Sequence, residues 1–162
     1  MSTLQACQWL NDTQLATAIR ESEIVFPLIE TVHVLAIALL AGTVAIVDLR
    51  LLGLILKRER VSQVAGQILP LTWVGFAAMA GSGVLLFLAE PTKSYYNPAF
   101  RFKMLLLIVA GLNPLIFHRT VYRNVAQWDE AAAAPRRARL TAYLSLTLWS
   151  GIIVAGRAIA YF

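Results

Sequence analysis

The chain reads as an all-α integral membrane four-helix bundle, and three observations predict that class. It is 59% hydrophobic and only 14% charged, with a mean hydropathy of +0.67, far from the composition of a soluble globular domain. Four apolar stretches, about 27–56, 66–89, 98–118 and 139–161, each supply the roughly 20 helical residues needed to cross a hydrocarbon core. The basic residues gather in two places, at the end of the first stretch and between the third and fourth. Together the stretches consume most of the chain, so residues 1–162 form one domain.

The first element precedes the spans. Leu4, Trp9, Leu10, Leu15 and Ile19 stand among polar residues between positions 4 and 19, a pattern that suits one short helix lying in the membrane interface. No basic n-region and apolar h-region of a cleavable signal peptide occurs in the first 26 residues, so insertion is expected to rely on the spans themselves.

Pro27 suits the first turn of the first span, where its missing N–H is no loss. His33 would then lie ~9 Å below the helix start. The second span carries small residues at Gly75, Ala78 and Ser82, with Gly81 and Gly83 alongside, a pattern that lets helices approach closely or makes room for a flat ligand. Asn97-Pro98 opens the third span as an N-cap followed by proline at the first helical position, placing Lys103 ~7–8 Å in. After the third span, residues 120–138 are expected to continue as an amphipathic helix that turns near Pro135, past the short alanine run Ala131–Ala134. Arg157 then returns near the level of the third helix start.

Charge sets the orientation. Arg50, Lys57, Arg58 and Arg60 follow the first span, and Arg119, Arg123, Arg136, Arg137 and Arg139 lie between the third and fourth. Both groups should be cytoplasmic by the positive-inside rule. The N-terminus, the 90–97 loop and the C-terminus then face outward, which is the periplasmic side where the membrane is a bacterial inner membrane. The net charge of +5 thus reads as topology, with the lipid bilayer rather than nucleic acid as partner.

Within the first span, Glu30, His33 and Asp48 form a polar stripe where apolar residues are expected, and ionisable groups in a span point to function. Glu30, His33, Lys103 and Arg157 fall in the outer half, on three helices. Asp48, Asn113 and His118 fall in the inner half, about 22 Å from His33 along the helix for Asp48. Arg50 points about 160° away from Asp48, so Arg50 is expected to snorkel to the interface, leaving Asp48 to pair with Asn113 or Arg119.

The most economical chemistry for the outer group is axial ligation of a haem iron by His33, since four-helix bundles build cofactor sites from facing side chains. Lys103 or Met79 could supply the second axial ligand, Arg157 fits the propionates, and Glu30 could manage protons. A lone Cys7, without the second cysteine and histidine of an attachment motif, excludes covalent c-type haem, so the expected cofactor is non-covalent haem b. One-electron transfer with a quinone or a periplasmic partner would follow. A metal-ion site is the weaker reading, because no second Glu-x-x-His occurs and Met1, Met79 and Met104 are scattered. A proton or metal-cation transporter using Glu30, His33 and Asp48 is a further reading, as is an interaction subunit. Homo-oligomers suit all of these. No phosphate loop, nucleophile elbow or catalytic triad is present.

The run Pro27-Leu-Ile-Glu30-Thr-Val-His33, the segment Asp48-Leu-Arg50-Leu-Leu-Gly53 and the stretch from Asn97 through Lys103 to Asn113 resemble a family of small bacterial inner-membrane proteins with four helices and no assigned activity. More distantly, a histidine early in the first helix and a lysine opening the third resemble the haem-containing four-helix protoporphyrinogen oxidases and the copper resistance protein D group. The former resemblance implies haem b held by His33, with Lys103 implicated as well. The sequence departs from those oxidases after the histidine, where Ala36-Ile-Ala-Leu-Leu-Ala-Gly42 replaces aromatic residues. What the resemblance implies is therefore the haem site rather than porphyrinogen oxidation.

Overall fold

A computed structural model describes residues 2–131 and 134–161; Met1 and the middle of the Ala131–Ala134 run lie outside them. The described residues are helical, without strands: α1 (Thr3–Asn11), α2 (Gln14–Arg20), α3 (Val25–Leu51), α4 (Val61–Ala89), α5 (Pro91–Tyr96), α6 (Pro98–Thr120) and α7 (Arg136–Ala158). Four of them, α3, α4, α6 and α7, are long and apolar enough to cross a membrane. Their surfaces agree with that. Large apolar side chains such as Leu28, Leu35, Trp73, Phe102, Ile108 and Val154 point outward, whereas His33, Thr43, Asp48, Arg50, Ser82 and Ser145 are buried. A soluble protein does not expose so much apolar surface, but a lipid-facing one must.

The termini of these helices differ from the sequence boundaries for local reasons. Helix α3 starts at Val25, two residues before Pro27, so His33 lies ~12 Å from the helix start rather than ~9 Å. It stops at Leu51 rather than at residue 56, because Gly53 adopts a left-handed φ of 72°. The Gly53 N–H then bonds the Arg50 carbonyl and the Leu54 N–H the Leu49 carbonyl, both at 3.0 Å. This is a Schellman stop, and glycine is the residue that permits it without Cβ strain. Helix α4 begins five residues earlier than expected. Asp129, from the loop between α6 and α7, caps its first turn: the Ser62 N–H and hydroxyl donate to the Asp129 carboxylate at 2.7 and 2.6 Å.

The single interfacial helix over residues 4–19 is two helices. Thr13 divides them, its hydroxyl donating to the Leu10 carbonyl and accepting from the Ala16 N–H, an N-cap that restarts the chain as α2. Arg20 fastens this pair to the bundle by donating to the Ala89 carbonyl at 3.0 Å. The expected amphipathic extension after α6 is also absent; residues Tyr122–Gln127 form a 3-10 helix instead. The start of α6 is as the sequence predicts. Asn97 accepts from the Phe100 N–H and donates to the Ile159 carbonyl, each at 3.0 Å, so one side chain caps α6 and pins the end of α7 beside it.

Helix α3 packs along α4, and α7 packs against both α3 and α6. Gly75 allows the first of these contacts: a Cβ there would meet the Leu40 backbone nitrogen at 3.0 Å. The middle of the bundle is filled by Ala36, Leu40 and Met79, with Leu107 and Trp149 reaching in from α6 and α7.

Candidate functional site around His33

His33 is one of the buried polar residues, 8% exposed, and its environment is specific. Its Nδ1 lies 2.9 Å from the Ser82 hydroxyl oxygen on α4. Ser82 in turn donates to the Ala78 carbonyl at 2.6 Å, the i−4 back-bond that a helical serine favours. A hydroxyl has one proton. When that proton is given to Ala78, Ser82 accepts from His33 Nδ1–H, and this is the tautomer of His33 that leaves the Nε2 lone pair free. The Met79 carbonyl is a further acceptor beside the ring. Among the described residues no protein group bonds Nε2.

Glycines make this packing possible. A Cβ on Gly83 would lie 3.1 Å from the His33 Cε1, closer than a side chain tolerates without moving the ring. Lys103 of α6 is half-buried. Its aliphatic stem runs alongside Gly156 of α7, where a Cβ would sit 3.5 Å from Nζ. His33 is thus paired with Ser82 of α4, and Lys103 with Gly156 of α7.

Glu30, His33, Lys103 and Arg157 do not converge on one point. Glu30 and Arg157 are exposed and line an open groove of about 420 Å³ with Pro27, Thr31, Val34 and Leu35. His33 and Lys103 lie inside. A second groove of about 350 Å³, between α3 and α4, is walled by Leu28, Val32, Ala78, Gly81 and Ser82 and reaches the serine that orients His33. Met79 points its side chain into the central apolar cluster. Sequence reasoning placed Ser82 among the small residues but missed its role, which only the register of α3 against α4 reveals.

Asp48, Asn113 and His118 separate in the same way. Asn113 donates to the Thr141 carbonyl at 3.2 Å and does not reach Asp48, and Arg119 is exposed at the helix end. The neighbour of Asp48 is instead Ser145 of α7. Arg50 does not snorkel. It is fully buried because its guanidinium donates to two loop carbonyls, Glu59 at 2.9 and 2.7 Å and Ala131 at 3.1 Å, tying both basic loops to the end of α3. His118 stacks on Tyr122 with ring centroids 4.6 Å apart. In the same loops, burial opposes the charge on Asp129, but the Ser62 hydrogen bonds, with Arg60 and Arg50 nearby, hold its carboxyl below the usual range. Burial first and the Asp129 charge second push the Tyr122 hydroxyl up.

Among the described residues no three His, Cys, Asp or Glu side chains gather into a metal site. His33 stands there as a single buried imidazole packed on Ser82.

Residues 18–162 match a family of unknown function, DUF6644. The chain belongs to the DUF6644 family. The match covers α3 to α7 and the end of α2, so His33 and Asp48 both lie within the DUF6644 region. No curated protein and no solved structure matches the chain.

Proposed function

We propose that this DUF6644 protein is a membrane-embedded b-type haem protein of the bacterial inner membrane, with its site in the periplasmic half and its basic loops in the cytoplasm. The observation that carries the reading is the His33–Ser82–Ala78 hydrogen-bond chain. Metal-ligating histidines characteristically donate the second ring N–H to a fixed acceptor, which sets the tautomer and aims the other nitrogen. Here that acceptor is built into the neighbouring helix.

In this reading His33 would hold the iron through Nε2, and Lys103 would serve either as a second iron ligand or as a cation for a propionate. Met79 is the alternative second ligand. Arg157, at the rim of the outer groove with Glu30, suits a carboxylate at the membrane surface, since guanidinium forks bind carboxylates and stay charged. Bound haem b would supply a one-electron redox centre. The chain contributes a fixed imidazole, a dry apolar surrounding and a positive charge, and Glu30 is placed to exchange protons with the outer aqueous phase. A quinone or a periplasmic redox protein is the partner class this predicts, and association into homo-oligomers would enclose grooves that a single chain leaves open. The similarity to four-helix haem-containing oxidases agrees with this, on the positions of His33 and Lys103.

The test is spectroscopic. Protein purified from haem-sufficient cells should show a Soret band and, when reduced, an α band, and His33→Ala should abolish both. Colourless wild-type protein would refute the proposal.

A further inference from the structure

Asp48 lies ~22 Å along α3 from His33 and takes no part in the haem reading. It is 6% exposed, and its Oδ2 is fully buried with no hydrogen-bond partner among the described residues. An ionised carboxylate in that position would be costly, because a buried charge needs a counter-charge or a full set of donors. Neither is present. Arg50, two residues on, leaves α3 on the other side, where its Nε and Nη2 donate to the Glu59 and Ala131 carbonyls and its Nη1 is buried without a partner among the described residues. From α7 the polar group facing the carboxyl is Ser145, itself 7% exposed. Among the described residues Asp48 forms no ion pair.

A cation would not suit the pocket: a hard metal ion takes about six oxygen ligands, and this seam offers one carboxyl and one hydroxyl. A proton requires a single acceptor. We infer that Asp48 is a proton-binding site at the α3–α7 seam, carried as the neutral acid with Ser145 as its hydrogen-bond partner. Protonation moves one proton onto Oδ1 or Oδ2 and needs no other reactant. Release leaves a bare carboxylate in a dry contact between two spans, so the seam must hydrate or part when the proton leaves. The site is thus a proton-controlled joint near the basic end of the bundle, and it stands whether or not haem is bound.

Infrared spectroscopy of the full chain in lipid tests this. Wild-type protein at neutral pH should show the C=O stretch of a protonated, buried carboxylic acid, and the band should fade as pH is raised. Asp48→Asn should remove it completely, and Ser145→Ala should shift it without removing it, since the hydroxyl sets its frequency. Wild-type protein without such a band, or a band unchanged in both variants, would overturn the inference. Because the wild-type spectrum and the Ser145→Ala shift are each decisive alone, the test survives a failure of Asp48→Asn to fold.

Discussion

Replacing Ser82 with alanine removes one oxygen, and its consequence for a ligand it never touches can be worked out from the structure. The His33 Nδ1 loses an acceptor at 2.9 Å, and a buried N–H left without a partner costs about 1–3 kcal/mol. The same range, about 10–100-fold, is typical when an orienting partner of a metal-bound histidine is removed, each tenfold being about 1.4 kcal/mol. The Met79 carbonyl beside the ring can take over part of the role, so the expected loss is at the lower end, ~10-fold in haem affinity. The assay is titration of haem-free protein with haem, followed by the Soret band, for Ser82→Ala and for Ser82→Thr, which keeps the hydroxyl and should bind as wild type. Gly83→Ala provides an independent check, since its new methyl would stand 3.1 Å from the His33 Cε1 and must displace the ring while every donor remains. Haem affinity unchanged in both Ser82→Ala and Gly83→Ala would refute the orientation argument, even if the protein proved to contain haem.

Three further outcomes follow from the frame that holds the site. Arg50→Ala should destabilise the protein strongly, because the Glu59 and Ala131 carbonyls both lose their donor at about 1–3 kcal/mol each; thermal unfolding in detergent reads this, and a neutral result would contradict the brace. Gly75→Ala places a methyl 3.0 Å from the Leu40 nitrogen, with backbone rather than a movable side chain in the way, and should cost about 1–3 kcal/mol by overpacking, whereas Gly42→Ala, with open space around it, should be tolerated. Asp129 has its carboxyl held below the usual range, so its stabilisation is complete at neutral pH and is lost as pH falls through the carboxylate range and into the lower folded-state value. Asp129→Asn should therefore flatten the acid limb of the stability profile, and an unchanged limb would show that the Ser62 cap carries no pH dependence.

The four spans were legible because a membrane imposes a length and a composition that local context cannot override. The Asn97-Pro98 start was legible for a similar reason, since both residues act within one turn. The other boundaries depended on partners distant in sequence. Val61 begins α4 because Asp129 caps it, across the whole of α4, α5 and α6. The α3 terminus was readable in principle, as Gly53 is the signal for a Schellman stop, but an apolar run through Leu56 masked it. For the site, helix periodicity put His33 and Lys103 at one level but could not place Glu30 and Arg157 at a groove outside it, because rotation about each helix axis is fixed only by packing. The same holds for Asp48 and Arg50. Their opposite directions were evident from spacing, yet Ser145 and the two loop carbonyls that receive them come from α7 and from loops that the pattern of one helix does not reveal.

The central claim is that His33 holds a cofactor through its free Nε2, and the absorption spectrum of the purified protein tests this most directly. Wild-type protein from haem-sufficient cells should carry a Soret band and a reduced α band, and His33→Ala should carry neither while remaining folded. Wild-type protein without these bands, or a His33→Ala variant that retains them, would contradict it.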